Sequence, residues 1–411
     1  MYNVKIAAEI GTAHNGDLNK AKELISCCKE CGADYVKFQW VYADEILHPD
    51  TGNVKLPGGT IPLYSRFKSL EVPPLFFKEC MEYAHSLNLK FMCSPFGIKS
   101  LNELAALKPD AIKIASPELN HIPLLKECAK YYGKIPLVIS SGVSKLKDIE
   151  RAIEILTAGN SQDSENQNVK EKDKNLNSDI PPLTLLHCST FYPTPEEEYN
   201  VKLVKTLSEI TGLPSGISDH SLDPVLVPVL SAAMGGTFIE KHITLSNETD
   251  GLDDAVALTP QKFAMMVHTV HQTQAVIDHI KKEKLALVNY DTTKLDKEKI
   301  FDEVLYYTKN QLAQSYSLEK INKCIGSGIK KLSPSENANY GRTNRSLHFI
   351  HSMKKGDVVK KEDIGILRTE KILSPGIESD FLETVTGCVL TKDAVSGEGV
   401  TFEHFLSREK I

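Results

Sequence analysis

Short, continuously apolar runs alternate with amphipathic stretches along most of this chain, up to about residue 283. The first run, residues 4–10, ends at Glu9 and leads through the loop 11–16 into a helical pattern over 18–31. Asp17 is placed to cap that helix and Gly32 to stop it. The unit then repeats, with strand-like runs at 34–39, 89–93, 111–115, 135–139 and 183–188. Helical patterns follow at about 74–88, 99–107, 121–131, 145–157 and 200–211. Residues 213–245 close the series. One run there ends Ser218-Asp219-His220 and the next ends Glu240-Lys241-His242; an apolar helix from Val225 to Ala233 lies between them, stopped by Gly235-Gly236. A last helix covers 260–283. Eight strands, each followed by a helix, predict an α/β chain whose residues 1–283 form a (β/α)8 TIM barrel. The runs are apolar throughout rather than alternating, as in parallel strands covered on both faces. No Gly-x-Gly-x-x-Gly turn follows the first run, which argues against an open dinucleotide-binding sheet.

Four stretches interrupt the pattern. Residues 40–73 read as a long loop of the size of an active-site element. Residues 159–180 have almost no large apolar side chains and read as a disordered insertion, since burial cannot offset their ordering entropy. Residues 284–318 are charged, helix-compatible and weakly amphipathic, and belong to a linker spanning 284–340 whose later part, 325–339, is loop-like. Residues 341–411 change character: short β-type runs alternate with Gly/Asp turns, giving a small β-rich domain.

Composition narrows the function classes. A formal net charge of −6 argues against a nucleic-acid binder. No apolar run is long enough to span a bilayer, and the first run follows the start with no basic segment before it, so no signal peptide is expected and a cytoplasmic location is. The nine cysteines are odd in number and fall mostly within apolar periodic segments, as reduced core residues do; Cys28-x-x-Cys31 has no second pair nearby and reads the same way.

In a parallel barrel the C-terminal strand tips form the active-site face. Here they bring together Glu9, Lys37, Gln39, Ser94, Lys113, Ser116, Glu118, Ser140, Ser141, Thr190, Ser218, His220 and His242. Lys37 and Lys113 lie within apolar runs, and an ammonium there needs a partner. With the serines they suit a small ligand bearing phosphate and carboxylate. Glu9 and Glu118 are candidates for proton transfer or for orienting a substrate hydroxyl, against the plainer reading of ion pairs with the same lysines. His220 and His242, on neighbouring tips, can share one divalent metal; the plainer alternative is two satisfied histidines at a rim. Asp253 and Asp254 follow the last strand and either face the cup or are solvated. These residues predict a metal-assisted barrel enzyme acting on a small anionic substrate.

The segments AEIGTAHNGD (8–17), GADYVKFQ (32–39), CSPF (93–96), KIASPEL (113–119), ISSGV (139–143), LHCSTFYPTP (186–195), GISDHS (216–221) and IEKHITL (239–245) resemble the sialic acid synthases, N-acetylneuraminate synthase and its nonulosonic acid relatives. RSLHFIHSMKKGDVVKKEDIGILR (345–368) resembles the antifreeze-like, or SAF, domain fused to them, and GSGIKKLSPSE (326–336) resembles the bacterial branch linked to spore-coat or surface polysaccharide. The resemblance implies condensation of phosphoenolpyruvate with an N-acylated hexosamine, of the N-acetylmannosamine or diacetamido-trideoxyhexose type. The product is a nine-carbon acid, and phosphate is released by C–O cleavage. It also implies Mn²⁺ or Mg²⁺ on His220 and His242, and phosphoenolpyruvate on Lys37, Ser94, Lys113, Ser116, Ser140, Thr190 and Ser218. The sugar is expected on Glu9, Gln39, Asp253 and Arg368, with Lys371 as the fallback for the arginine, and Glu118 handles a proton. A homodimer is expected in which the C-terminal domain of one subunit caps the partner's barrel. Thr190, Pro117 and DGLDDAVAL (250–258) depart from the commonest family patterns, the last two on the sugar side. The competing readings are another phosphoenolpyruvate–sugar synthase, disfavoured by the SAF-like segment and by the lack of a second basic pocket, and an inactive carbohydrate-binding barrel, disfavoured by the complete set of lysines and histidines.

Overall fold

A computed structural model describes residues 4–56, 59–158, 178–248, 251–288 and 290–406. Eight parallel strands close into a barrel: β1 (Lys5–Gly11), β2 (Tyr35–Trp40), β3 (Lys90–Pro95), β4 (Ala111–Ile114), β5 (Leu137–Ser140), β6 (Leu183–Cys188), β7 (Ser215–Asp219) and β8 (Phe238–His242). Each pairs with its neighbour in sequence, and β8 returns to β1 with Lys5 beside Phe238 and Glu9 beside His242. The helices pack outside. The first, Leu18–Glu30, begins at Asp17, whose carboxylate accepts the Asn19 and Lys20 N–H groups, and Gly32 leaves it at φ +87. A left-handed turn of that kind costs glycine nothing sterically.

Inside the barrel, side chains stack in layers because successive residues of a strand point to opposite faces. Ala7, Tyr35, Met92, Ala111, Val138, Leu186 and Phe238 form an apolar plug with Ile180. Two residues further along each of these seven strands the inward position is Glu9, Lys37, Ser94, Lys113, Ser140, Cys188 or Glu240, and Ser218 on β7 faces Glu240 across the pairing. A dry plug therefore carries a polar layer on its C-terminal side.

Three of the interrupting stretches have more structure than their composition suggests. The loop 40–73 contains a hairpin of Asn53–Leu56 with Gly59–Pro62 and a helix, Leu63–Ser69. The insertion expected over 159–180 lies outside the described residues from 159 to 177, but its last three residues are ordered. Ile180 joins the plug, and Asp179 pairs with Lys5 at 2.9 Å and accepts the Tyr35 hydroxyl at 2.5 Å. The barrel's last helix does not stop at 283 but continues to Leu287, since the run that follows consists of good helix formers. The helix Lys297–Leu312 buries Ile300, Val304, Thr308 and Leu312, spaced one turn apart, and packs on Ala233, Ile277 and Ile280. That stripe makes it part of the barrel's outer layer rather than a free spacer.

The C-terminal unit has its own apolar core, including Leu347, Phe349, Val359, Leu390 and Val400. It is built on an antiparallel pair, β9 (Arg345–Phe349) and β10 (Ile364–Arg368), in which Arg345 stands directly opposite Arg368. The unit sits over the barrel mouth: the Arg368 N–H donates to the Ile46 carbonyl at 2.9 Å, and Asn120 exchanges two hydrogen bonds with the Arg345 backbone. Among the described residues no helix is long and apolar enough to cross a membrane. None of the nine cysteines is in a disulfide, and seven are buried.

Outside the barrel mouth, burial holds four histidines neutral: it lowers His14, His187 and His348 to about 4 and His121 to about 3. The unfolded chain takes up these protons near pH 6.5 and the folded chain does not, so stability is complete above that value and declines as pH falls toward 4. Each group contributes a slope of about 1.4 kcal/mol per pH unit in that window. Melting temperature should therefore drop steeply between pH 6.5 and 4.5; a flat profile there would show that these rings protonate in the fold.

Candidate active site at the barrel mouth

The polar layer opens into a cavity of about 230 Å³ lined by residues from all eight strand ends and from the C-terminal unit. Its floor is a buried charge cluster. Lys37 donates to Glu9 in a short contact and lies 3.8 Å from Glu240; Lys113 lies 3.8 Å from Glu240 on the other side and donates to Ser140 Oγ at 2.7 Å. Register explains the first pairing, because Glu9 stands beside Lys37 on one flank and His242 on the other. Gln39 Nε2 completes the Glu9 carboxylate at 2.8 Å. Burial opposes charge on every member. For Glu240 the two lysines outweigh it and hold the carboxyl at about 2, and for Lys37 the two carboxylates outweigh it and raise the ammonium. For Lys113 burial wins and its pKa is lowered. Lys113 is thus the cation that an incoming anion would satisfy most.

The two histidines meet above this floor, with ring centroids 5.7 Å apart. His220 donates from Nδ1 to the Ser189 carbonyl at 2.8 Å, leaving Nε2 toward the Tyr192 hydroxyl at 3.1 Å, and Tyr192 stacks on the ring at 4.1 Å. His242 Nδ1 lies 3.8 Å from Asp253. Burial lowers His242 to about 4. His220 rises to about 9, because a Cys188 thiolate and the Ser189 carbonyl outweigh its burial, and a bound cation would have to displace that proton. Two imidazoles backed by an aspartate fit two positions of a divalent ion, with other positions left for water and substrate. Among the described residues no group of three or more His, Cys, Asp or Glu forms a closed metal cage.

Of the residues singled out from the sequence, Glu9, Lys37, Gln39, Ser94, Lys113, Ser116, Ser140, Thr190, Ser218, His220, His242, Asp253 and Arg368 line this one cavity. Glu118 does not. It is fully buried in the wall, with Arg345 Nε at 2.5 Å on one oxygen and Arg368 Nη2 at 2.7 Å on the other. Burial alone would raise this carboxyl; the two guanidiniums outweigh it and hold its pKa below the usual range. Lys371 also lies elsewhere, donating to Asn339 Oδ1. Ser141 turns out of the cup to donate to the Leu186 carbonyl.

Three further titratable groups line the cavity: Glu240, Tyr192 and Glu370. Strand alternation puts Glu240 on the same face as His242, with Lys241 pointing outward to Asp219 at 2.7 Å. Tyr192 and Glu370 lie on loops, where no periodicity marks them. Carboxylates on the lining (Glu9, Glu240, Asp253, Glu370) number four, against Lys37, Lys113, Arg368 and the raised His220, so the lining offers an anionic ligand no net positive charge.

The NeuB family's sequence model matches residues 24–282. The N,N'-diacetyllegionaminic acid synthase of Legionella pneumophila is 29% identical, over 97% of this chain and 94% of its own. The enzyme of the same name from Campylobacter jejuni is 28% identical, over 96% of this chain and 97% of its own. The crystal structure of the spore coat polysaccharide biosynthesis protein SpsE from Bacillus subtilis superposes with a TM-score of 0.71, covering 99% of this chain and 96% of its own at 24% identity, a likeness of fold.

Gly142 tests the packing of this cup. A Cβ there would meet Thr190 Oγ1 at 2.0 Å, Ser116 Oγ at 2.9 Å and Cys188 Sγ at 3.1 Å. Gly142→Ala should cost about 1–3 kcal/mol of stability by overpacking and push Thr190 out of place. Thermal melting of a Gly142→Ala variant that matches the parent would show that the cup yields instead.

Proposed function

The chain belongs to the NeuB family, and we propose that it is a transferase condensing phosphoenolpyruvate with an N-acylated hexosamine to give a nonulosonic acid and phosphate. The observation that carries this reading is the placement of two buried ammoniums and two imidazoles around one cavity in a barrel of this family. Lys37 and Lys113, with the hydroxyls of Ser94, Ser116, Ser140, Thr190 and Ser218, hold the phosphate and carboxylate; hydroxyls and ammoniums suit these oxygens. Glu9, Gln39, Asp253 and Arg368 hold the sugar. The enol carbon of phosphoenolpyruvate attacks the open-chain aldehyde, forming a carbon–carbon bond, and the aldehyde oxygen takes up a proton. Water adds to the resulting cationic carbon and loses a proton, and phosphate leaves with its bridging oxygen. Holding both substrates in one cup supplies much of the acceleration.

His220 and His242 are the residues that would hold Mn²⁺ or Mg²⁺, which supplies Lewis-acid polarisation of the aldehyde and the positive charge that the lining lacks. Of the carboxylates on the cavity, Glu9 has its pKa raised by burial and is placed to exchange a proton there. Glu118 is engaged by two arginines and serves to aim Arg368 at the sugar. The mouth also carries Leu63, Phe67, Phe96 and Val256, apolar groups suited to acyl and deoxy methyl groups, which favours a diacetamido-trideoxyhexose over N-acetylmannosamine. The names of the Legionella and Campylobacter relatives point the same way. We extend the proposal to an SAF-type C-terminal unit and a homodimer. In an exchanged dimer a partner's C-terminal unit would make the contacts that Arg345 and Arg368 make here within one chain.

The reading is tested by phosphate release from phosphoenolpyruvate with Mn²⁺. The acceptors are N-acetylmannosamine, its 6-phosphate, 2,4-diacetamido-2,4,6-trideoxyhexoses and arabinose 5-phosphate. Release with a diacetamido sugar, abolished by EDTA, is expected; silence with every acceptor would overturn it. His242→Ala should lose metal-dependent turnover by a factor of about 10² or more while melting like the parent. Full activity in that variant would remove His242 from the metal site.

A further inference from the structure

The segment between the helix Leu318–Ile325 and β9 carries the GSGIKKLSPSEN motif, and nothing above gives it a task. It passes behind two strand-tip loops, Ser141-Gly142-Val143 after β5 and Ser189-Thr190 after β6. Glu336 is buried between them, 2% exposed, and does not reach the cavity. One of its oxygens accepts the Val143 N–H at 2.9 Å and the Thr190 N–H at 2.7 Å; the other accepts the Ser333 N–H at 3.2 Å. The carbonyls of the same two loop residues are also taken: Asn344 Nδ2 donates to Val143 O at 3.1 Å and Asn339 Nδ2 to Thr190 O at 3.2 Å. The strap thus holds both backbone polar groups of Val143 and both of Thr190.

Val143 sits at φ +43. A β-branched side chain keeps that left-handed conformation only where its surroundings enforce it. The enforced turn sets Gly142, whose N–H donates to Ser116 Oγ at 3.0 Å, and follows directly on Ser140, the partner of Lys113. Two of the hydroxyls assigned to the anion, those of Ser116 and Thr190, are therefore positioned from behind by one carboxylate.

We propose that Glu336 is a positioning residue for the anion end of the cavity, acting through Val143 and Thr190; this rests on the reading that this end holds phosphoenolpyruvate. Its effect should fall on phosphoenolpyruvate and spare the sugar, because Glu336 makes no hydrogen bond to Glu9, Gln39, Asp253 or Arg368. A purely structural role would weaken both substrates together or only lower the melting temperature.

The test uses the full-length protein with Mn²⁺. Calorimetry gives the Kd for phosphoenolpyruvate without acceptor, and steady-state assays give both KM values, for wild type, Glu336→Ala, Glu336→Gln and Asn344→Ala. Glu336→Ala should bind phosphoenolpyruvate about tenfold more weakly, with the acceptor KM within about twofold. Glu336→Gln keeps one acceptor oxygen and should fall between the two. Should the alanine variant not fold, Glu336→Gln and Asn344→Ala are judged by the same split. A phosphoenolpyruvate Kd unchanged from wild type, or a parallel rise in the acceptor KM, overturns the proposal. Wild type that binds phosphoenolpyruvate but turns over no acceptor overturns the functional reading alone, and the Kd ratio still decides the role of Glu336. Wild type that does not bind it overturns both.

Discussion

Four charges buried in one layer of the barrel, Glu9, Lys37, Lys113 and Glu240, set the terms for the rest of the structure. None has water to fall back on, so each is stable only while its neighbours hold station. Removing one partner of such a pair costs about 3–5 kcal/mol, because the other is left charged in a dry place. The apolar plug beneath closes the layer from one side, and strand register sets Glu9 beside Lys37. The arrangement resembles a charged socket more than a core. Its charges face one another, yet one Glu240 oxygen has no hydrogen bond, and Lys113 is held by the Ser140 hydroxyl, the Ile114 carbonyl at 3.4 Å and a carboxylate 3.8 Å away, so a better anion can take their place.

Much of this was legible in the chain because parallel barrel strands are apolar on both faces. A lysine inside such a run stands out, and Lys37 and Lys113 announced the socket. The two histidines were equally visible, at matched strand ends. Glu240 was legible in principle: in Glu-Lys-His, alternation puts the first and third residues on one face and sends Lys241 to Asp219. What escaped was everything whose partner lies far along the chain. Glu336 binds residues 193 and 146 positions away, and nothing local distinguishes it from a solvated loop glutamate. The helix Lys297–Leu312 escaped for a related reason, since its narrow apolar stripe among charged residues only makes sense once the barrel surface it covers is known. Ile180 and Asp179 were hidden by the polar stretch before them, although both are tied to the barrel's lower end.

The mouth is thus assembled from three levels of the chain. Strands supply the buried charges, loops supply Tyr192 and Asp253, a short helix supplies Phe67, and distant segments brace the loops from outside. The division is physically sensible. Strand residues are held to fractions of an ångström by the sheet, so charges that must match one another belong there. Loop residues are freer to vary, and departures from the family patterns fall among them.

Glu118 ties the C-terminal unit to this scheme. Its two oxygens neutralise Arg345 and Arg368, which stand directly opposite each other on β9 and β10 and would otherwise repel. Arg345 spends its remaining N–H groups on backbone carbonyls of residues 45, 46, 96 and 366. Among the described residues the ion-pair partners of this barrel acid both belong to another part of the chain, and that part carries a like-charge pair that the acid relieves. Neither half is a cassette. A gene fragment ending before β9 would encode a barrel with an orphan carboxylate in its wall, and recombination between relatives at this junction would succeed only where both sides of the lock are exchanged together.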